Sequence, residues 1–271
     1  MKKTKIVCTL GPASSSEDVI EKMLNAGMNV ARFNFSHGTH EYHKDLIDTF
    51  RRVRDRLKMP AAIMLDTKGP EIRVGEMGGG SAELKKGSEF VLTTEARVGD
   101  ESGVSISYAG LPKEINAGQR VLMDDGKIIL EVLSCEKSEI RCRVIEGGVL
   151  KTRKSINVPN VHLNMPYISE KDEADILFGS ERGVDFIAAS FVRNADDIIK
   201  LRKFVDFHGG HNIRIISKIE NMEGIVNFDA ILRHSDGIMV ARGDMGVEVE
   251  FESFPDFRRG LSESAIRRAR W

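Results

Sequence analysis

The sequence predicts an α/β fold: an incomplete (β/α)8 barrel with about six of the eight strand–helix units such a barrel needs, and an inserted all-β domain. Three observations predict it. Apolar runs of strand length alternate with helically periodic segments in residues 4 to 69 and again after Pro166. Between them the texture changes to short alternating strands and tight turns. Several apolar runs stop abruptly on charged residues, as strands do at the mouth of a barrel.

Residues 4 to 10 read as a strand, and Ser14 with Glu17 is expected to form a capping box. The helix that follows turns Ile20, Met23 and Leu24 inward and ends at Gly27. A strand at 29 to 35 leads to a long helix from 40 to 58, with Tyr42, Leu46, Phe50, Val53 and Leu57 on its buried stripe. A strand at 61 to 66 opens a third unit, but after Gly69-Pro70 no helix pattern arrives. The insert then carries Phe90-Val91-Leu92, Arg120-Val121-Leu122-Met123, Ile128 to Leu133 and Ile140 to Ile145 as strands, with Asp124-Asp125-Gly126 as a hairpin turn. The βα rhythm resumes with helices starting near Ser169 and Asn194 and strands at 185 to 192, 213 to 219 and 237 to 242. The domains expected are a first barrel part (1–69), an inserted β domain (70–165), a second barrel part (166–250) and a divergent tail (251–271). Val247-Glu248-Val249-Glu250-Phe251 carries the chain on from the sixth strand, Phe251 to Trp271 holds no apolar strand, and the chain is expected to stop mid-fold.

Composition narrows the classes. Forty basic residues against 41 acidic give a formal charge of −1, so no global pull on nucleic acid or an anionic membrane is expected. Aromatic residues are few and form no stacking platform. Cys8, Cys135 and Cys142 lack metal-ligand spacing and read as reduced thiols of a cytoplasmic protein, with Cys8 buried in a strand and inert. No apolar run approaches the ~18 residues of a membrane helix. Met1-Lys2-Lys3 imitates the start of a signal peptide, but Gly11-Pro12 cuts the apolar segment short. Glycines 75, 78, 79 and 80 lack the Lys-Ser or Lys-Thr of a phosphate loop and read as a flexible turn. His37, His40 and His43, spaced three apart, read as a solvated helix start rather than a zinc site.

The chemistry is expected where strands end. In Ile215-Ile216-Ser217-Lys218-Ile219-Glu220, period-two alternation turns Lys218 and Glu220 to the same side. Ile238-Met239-Val240-Ala241-Arg242-Gly243-Asp244 and Met64-Leu65-Asp66-Thr67-Lys68 end the same way, and Arg32, Asn34 and Ser36 share one face of their strand. Two carboxylates on neighbouring strands, Glu220 and Asp244, suit a hard divalent cation such as Mg2+, with Lys218 facing the same anionic group.

Five runs in order carry a family likeness: Lys5-Ile6-Val7-Cys8-Thr9-Leu10-Gly11-Pro12, Arg32-Phe33-Asn34-Phe35-Ser36-His37-Gly38, Leu65-Asp66-Thr67-Lys68-Gly69-Pro70-Glu71-Ile72-Arg73, Lys218-Ile219-Glu220-Asn221 and Ala241-Arg242-Gly243-Asp244. With the inserted β domain, they resemble pyruvate kinase from the first residues to about Val249. The resemblance implies a TIM barrel that moves the phosphoryl group of phosphoenolpyruvate to ADP, giving pyruvate and ATP in glycolysis. It implies Mg2+ (or Mn2+) on Glu220 and Asp244, and K+ on Asn34, Ser36, Asp66 and Thr67. Lys218 would stabilise the phosphoryl group in transit and Arg32 would hold the substrate phosphate. Arg73 and Lys171, with Asn34, would face the ADP phosphates, and Gly243 joins Asp244 in the substrate and nucleotide set. A domain hinged at Gly69-Pro70 and near Pro166 would exclude water.

Full-length relatives carry two more barrel strands, a threonine that takes part in protonating the enolate, and a C-terminal domain of the homotetramer. The chain departs from that pattern after Phe251, which predicts an impaired or inactive enzyme. Two other readings stand beside it: a non-catalytic fragment or binding module, and a lyase-type barrel acting on phosphoenolpyruvate or pyruvate. The inserted domain and Asp66-Thr67-Lys68-Gly69-Pro70 argue against the lyase.

Overall fold

Apolar runs of period two become strands, and the stripes of period 3.6 become the helices that cover them. The computed structural model describes residues 4–248, so the tail and the end of the Val247–Phe251 run lie outside the described residues. The first units are β1 (Ile6–Thr9), α1 (Glu17–Asn25), β2 (Met28–Asn34), α2 (His40–Leu57) and β3 (Ala62–Asp66). The expected Ser14–Glu17 capping box does not form. Pro12–Ser14 makes a separate 3-10 turn, and Ser16 caps α1 by accepting a hydrogen bond from the Val19 amide. Gly27, at φ +106°, then reverses the chain into β2.

The insert holds β4 (Ile72–Arg73), β5 (Ser81–Leu84), β6 (Glu89–Thr93), β7 (Gly103–Ser105), a one-turn helix α3 (Leu111–Glu114), β8 (Arg120–Met123), β9 (Ile128–Cys135), β10 (Glu139–Glu146), β11 (Gly148–Lys151) and β12 (Ser155–Asn157). Seven strands form one sheet in the order β4-β12-β8-β9-β10-β6-β7, and β11 pairs with β5. Asp124, Asp125 and Gly126 join β8 to β9 in three consecutive left-handed conformations, the backbone a tight hairpin needs. This region buries its own apolar cluster, including Phe90, Leu92, Val121, Leu130 and Val144.

The chain then returns through α4 (Glu170–Glu181), β13 (Phe186–Ala189), α5 (Ala195–Phe207), β14 (Arg214–Ile219), α6 (Met222–Val226), α7 (Phe228–His234), β15 (Gly237–Val240) and α8 (Arg242–Glu248). Ser169 and Asn194 cap α4 and α5, as their positions predict. Among the described residues six parallel strands lie in the order β1-β2-β3-β13-β14-β15, the incomplete barrel expected from the sequence. One sheet face, with Phe33, Leu65, Ile187 and Ile215, packs under the helices. The inner face holds only a small apolar group, Val30, Met64 and Ala188, before its residues turn polar towards the strand ends. Among the described residues no helix is long and apolar enough to cross a membrane.

Three expectations are corrected. The last strand stops at Val240, so Asp244 and Val247 lie on α8 rather than on an extended run; Met245, fully buried, anchors that helix. Cys8 is half-buried, because β1 is the outer strand of the described sheet and has no neighbour on its far side. The histidine triplet is not a solvated helix start: His43 is buried, and His40 is bonded to Asp175.

Candidate active site

β2, β3, β13 and β14 bring their carboxyl ends together, and the inner-face residues there meet around one carboxylate. Asp66, 1% exposed, ends β3. Its Oδ2 accepts a hydrogen bond from Arg32 Nε, while its Oδ1 lies 3.2 Å from Lys218 Nζ and accepts from Ser190 Oγ at 3.1 Å. Lys218 also donates to Ser190 Oγ at 2.7 Å and lies 3.0 Å from Glu220 Oε1. Thr9, at the end of β1, accepts from Arg32 Nη1 at 2.6 Å. Four strands and the loop after β13 therefore contribute to one network of two cations and two carboxylates. A buried charge requires such compensation.

Electrostatics follow from this burial. Desolvation pushes the Glu220 carboxyl up to about 7, with the Asp244 charge adding to the rise; Lys218 and the Phe191 amide, which donates to Glu220 Oε2 at 2.7 Å, oppose it. Burial alone would lower Lys218, yet Glu220 and Asp66 together hold its ammonium above the ordinary lysine value. Glu220 Oε1 is buried and has no hydrogen-bond partner; the nearby Lys218 ammonium is an ion-pair contact without hydrogen-bond alignment. Phe191 itself is held at φ +54°, a left-handed conformation that ends β13 early and aims its N–H at Glu220.

Beside this network lies a cleft of about 600 Å³ between the β-rich region and the barrel. Arg73, Asp125 and Lys154 line one side; Phe191, Arg193, Asn221 and Asp244 line the other. Asp244 is exposed in the first turn of α8, and Gly243 before it has open space where a side chain would stand. Arg73 is ion-paired with Glu71 at 2.6 Å and donates to the Arg153 carbonyl at 2.8 Å.

The remaining candidates cluster around the ends of β2 and β3. Asn34 is the register partner of Asp66, and its Oδ1 accepts from the Ser36 amide at 3.0 Å. The Thr67 hydroxyl is buried, donating to the Ala188 carbonyl at 3.3 Å and accepting from the Ser190 amide at 3.1 Å. Lys171, in the first turn of α4, donates to the Phe35 carbonyl at 2.8 Å and to Asp175 Oδ2 at 2.6 Å. Arg32, Asp66, Thr67, Lys218 and Glu220 are thus joined directly or through Ser190; Arg73 and Asp244 face the cleft, and Lys171 meets the chain just past β2 at Phe35.

Sequence reasoning passed over Ser190, which binds Lys218, Asp66 and Thr67 at once. The signal was available: Ser190 follows Ala188 by two residues, so the alternation that aligned Lys218 with Glu220 applies to it as well. Tyr167, whose buried hydroxyl donates to the Ser190 carbonyl at 3.1 Å, carried no local signal. Among the described residues no group of three or more His, Cys, Asp or Glu side chains is arranged to hold a metal ion.

Charged side chains at the carboxyl ends of parallel strands, beside a cleft shared with a second β-rich region, define an α/β-barrel enzyme scaffold. The family model described as the pyruvate kinase barrel domain matches residues 1–267, past the point where the sequence motifs stop. The pyruvate kinase of Staphylococcus haemolyticus is 49% identical over 263 residues, covering 96% of this chain and 45% of the relative. That of Geobacillus stearothermophilus is 50% identical over 256 residues, covering 94% of this chain and 44% of the relative. That of Clostridium perfringens is 45% identical over 262 residues, covering 96% and 55%. The chain belongs to the pyruvate kinase family, a family of phosphotransferases. It spans about half the length of the curated relatives it matches.

Proposed function

We propose that this chain carries the phosphoryl-transfer centre of a cytoplasmic, glycolytic pyruvate kinase. The phosphoryl group leaves the enol oxygen of phosphoenolpyruvate and bonds to the terminal phosphate oxygen of ADP, giving ATP and an enolate that becomes pyruvate on protonation. The observation that carries this reading is Glu220: a buried carboxylate with an oxygen lacking any hydrogen-bond partner, next to Lys218 and within the field of Asp244. Such a donor set fits Mg2+ or Mn2+, which takes one or two carboxylates and leaves other positions to water and phosphate. When bound, the divalent cation neutralises charge on the transferred group.

Phosphoryl transfer passes through a loose transition state and depends on positioning and charge more than on covalent catalysis. Arg32, steadied by Asp66 and Thr9, holds the substrate phosphate. Lys218, kept charged by two carboxylates, stabilises the group midway between donor and acceptor. Arg73 and Lys171, with Asn34, receive the ADP phosphates, and Gly243 leaves room for ligand beside Asp244. Asn34, Ser36, Asp66 and Thr67 bring neutral and singly charged oxygens to the ends of β2 and β3, a donor set suited to K+.

Binding of Mn2+ in the presence of phosphoenolpyruvate, followed by electron paramagnetic resonance, tests the centre. Wild type is expected to bind the ion, with loss of about tenfold or more in affinity for Glu220→Gln and Asp244→Asn. Unchanged binding in both variants would move the cation elsewhere and overturn the reading.

A further inference from the structure

We infer that Asp175, with His40 behind it, is a positioning residue that sets the Lys171 ammonium for an incoming nucleoside diphosphate; this rests on the nucleotide reading of Lys171 above. Asp175 lies one turn after Lys171 on α4, with its side chain only 2% exposed. Its two oxygens are divided between two elements: Oδ2 accepts from Lys171 Nζ at 2.6 Å, and Oδ1 lies 2.7 Å from His40 Nε2 on α2. An exposed pair at this helical spacing contributes little. A buried carboxylate differs, because it is sheltered from water and salt and must keep its partners.

The contacts on either side make the arrangement rigid. Lys171 also donates to the Phe35 carbonyl, which lies between Asn34 and Ser36 at the end of β2. An ammonium has three donors; with two committed, the third has no partner among the described residues, and the side chain remains 46% exposed to receive an anion. The His40 ring stacks on Phe178 at 4.7 Å, which fixes Nε2 towards Asp175. His43 stands beside it on α2, stacked on Phe35 at 4.0 Å with Nε2 bonded to the His37 carbonyl, and burial holds it below the ordinary histidine value. His40 thus meets Asp175 on α4, Lys171 binds the other oxygen of that carboxylate, and His43 stands on the same helix as His40. Asp175 touches neither the Asp66 network nor the cleft, so its influence on a ligand passes through Lys171.

Titration of the full chain with ADP in the presence of Mg2+ tests the inference, using Lys171→Ala, Asp175→Asn, their double variant, His40→Ala and His40→Gln, each checked by thermal melting. Lys171→Ala and Asp175→Asn are each expected to weaken ADP about tenfold, with no further loss in the double variant. Phosphoenolpyruvate affinity is expected to stay unchanged, an outcome that general structural damage would not give. His40→Ala is expected to weaken ADP about threefold and His40→Gln, which keeps a donor, to restore it. Loss in Lys171→Ala with none in Asp175→Asn would overturn the positioning role alone, as would additive losses in the double variant. Unchanged ADP affinity in Lys171→Ala would overturn the nucleotide reading and the inference with it. Where Asp175→Asn does not fold, the half-exposed His40 decides: unchanged ADP affinity in His40→Ala overturns the role.

Discussion

Lys218 donates a 2.7 Å hydrogen bond to the Ser190 hydroxyl, and both are buried. The hydroxyl hydrogen-bonds to both Lys218 and Asp66. It braces the direct 3.2 Å contact between cation and carboxylate and links it to the Thr67 carbonyl, to which the hydroxyl donates at 2.7 Å.

Ser190→Ala is therefore expected to destabilise the protein by about 1–3 kcal/mol, since buried polar groups lose a shared partner. Any turnover the protein supports is also expected to fall more than the KM for phosphoenolpyruvate rises, as the lysine head loses its fixed position. Chemical denaturation and steady-state kinetics check the two effects. A stability change within about 0.5 kcal/mol would show that water replaces the hydroxyl without loss.

Removing the lysine charge acts on the same network from the other side. Lys218→Met leaves Glu220 and Asp66 buried with one cation fewer, an uncompensated arrangement expected to cost about 3–5 kcal/mol in the metal-free protein. Added Mn2+ is expected to recover part of that loss by supplying positive charge. Thermal melts with and without the ion measure it, and an equal loss under both conditions would count against a cation beside Glu220.

The joint into the β-rich region reaches the same serine. Gly69 sits at φ +71°, and a Cβ there would stand 2.8 Å from the Ser190 carbonyl oxygen and 2.9 Å from its Cβ. Gly69→Ala is expected to destabilise by about 2 kcal/mol or more, through backbone strain and displacement of Ser190. A melting temperature equal to that of wild type would mean that the joint relaxes freely.

Thiol reactivity separates the cysteines. Burial pushes the Cys142 thiol up to about 12, so at pH 8 it stays protonated as well as covered. An aromatic disulfide reagent is expected to label half-buried Cys8 within minutes and Cys142 only after denaturation. Labelling of all three thiols at one rate would place Cys142 at the surface.

What the sequence determined by itself was local and periodic. Alternation of apolar and polar residues announced six strands, and parity set Lys218 with Glu220, and Arg32 with Asn34, on single strand faces. Ser169 and Asn194 marked helix starts because capping is a contact within one turn. The texture of residues 70 to 165 read as β for the same reason, with Asp124-Asp125-Gly126 specifying its turn. Tertiary structure alone decided which ends meet. Asp66 is the shared partner of Arg32 and Lys218 because β3 lies next to β2 and β13 brings Ser190 between β3 and β14. Asp244 moved from a strand end onto α8, and Asp175 met His40 across 135 residues of chain. Spacing along the chain records periodicity, whereas compensation of a buried charge depends on neighbours that only the packed fold supplies.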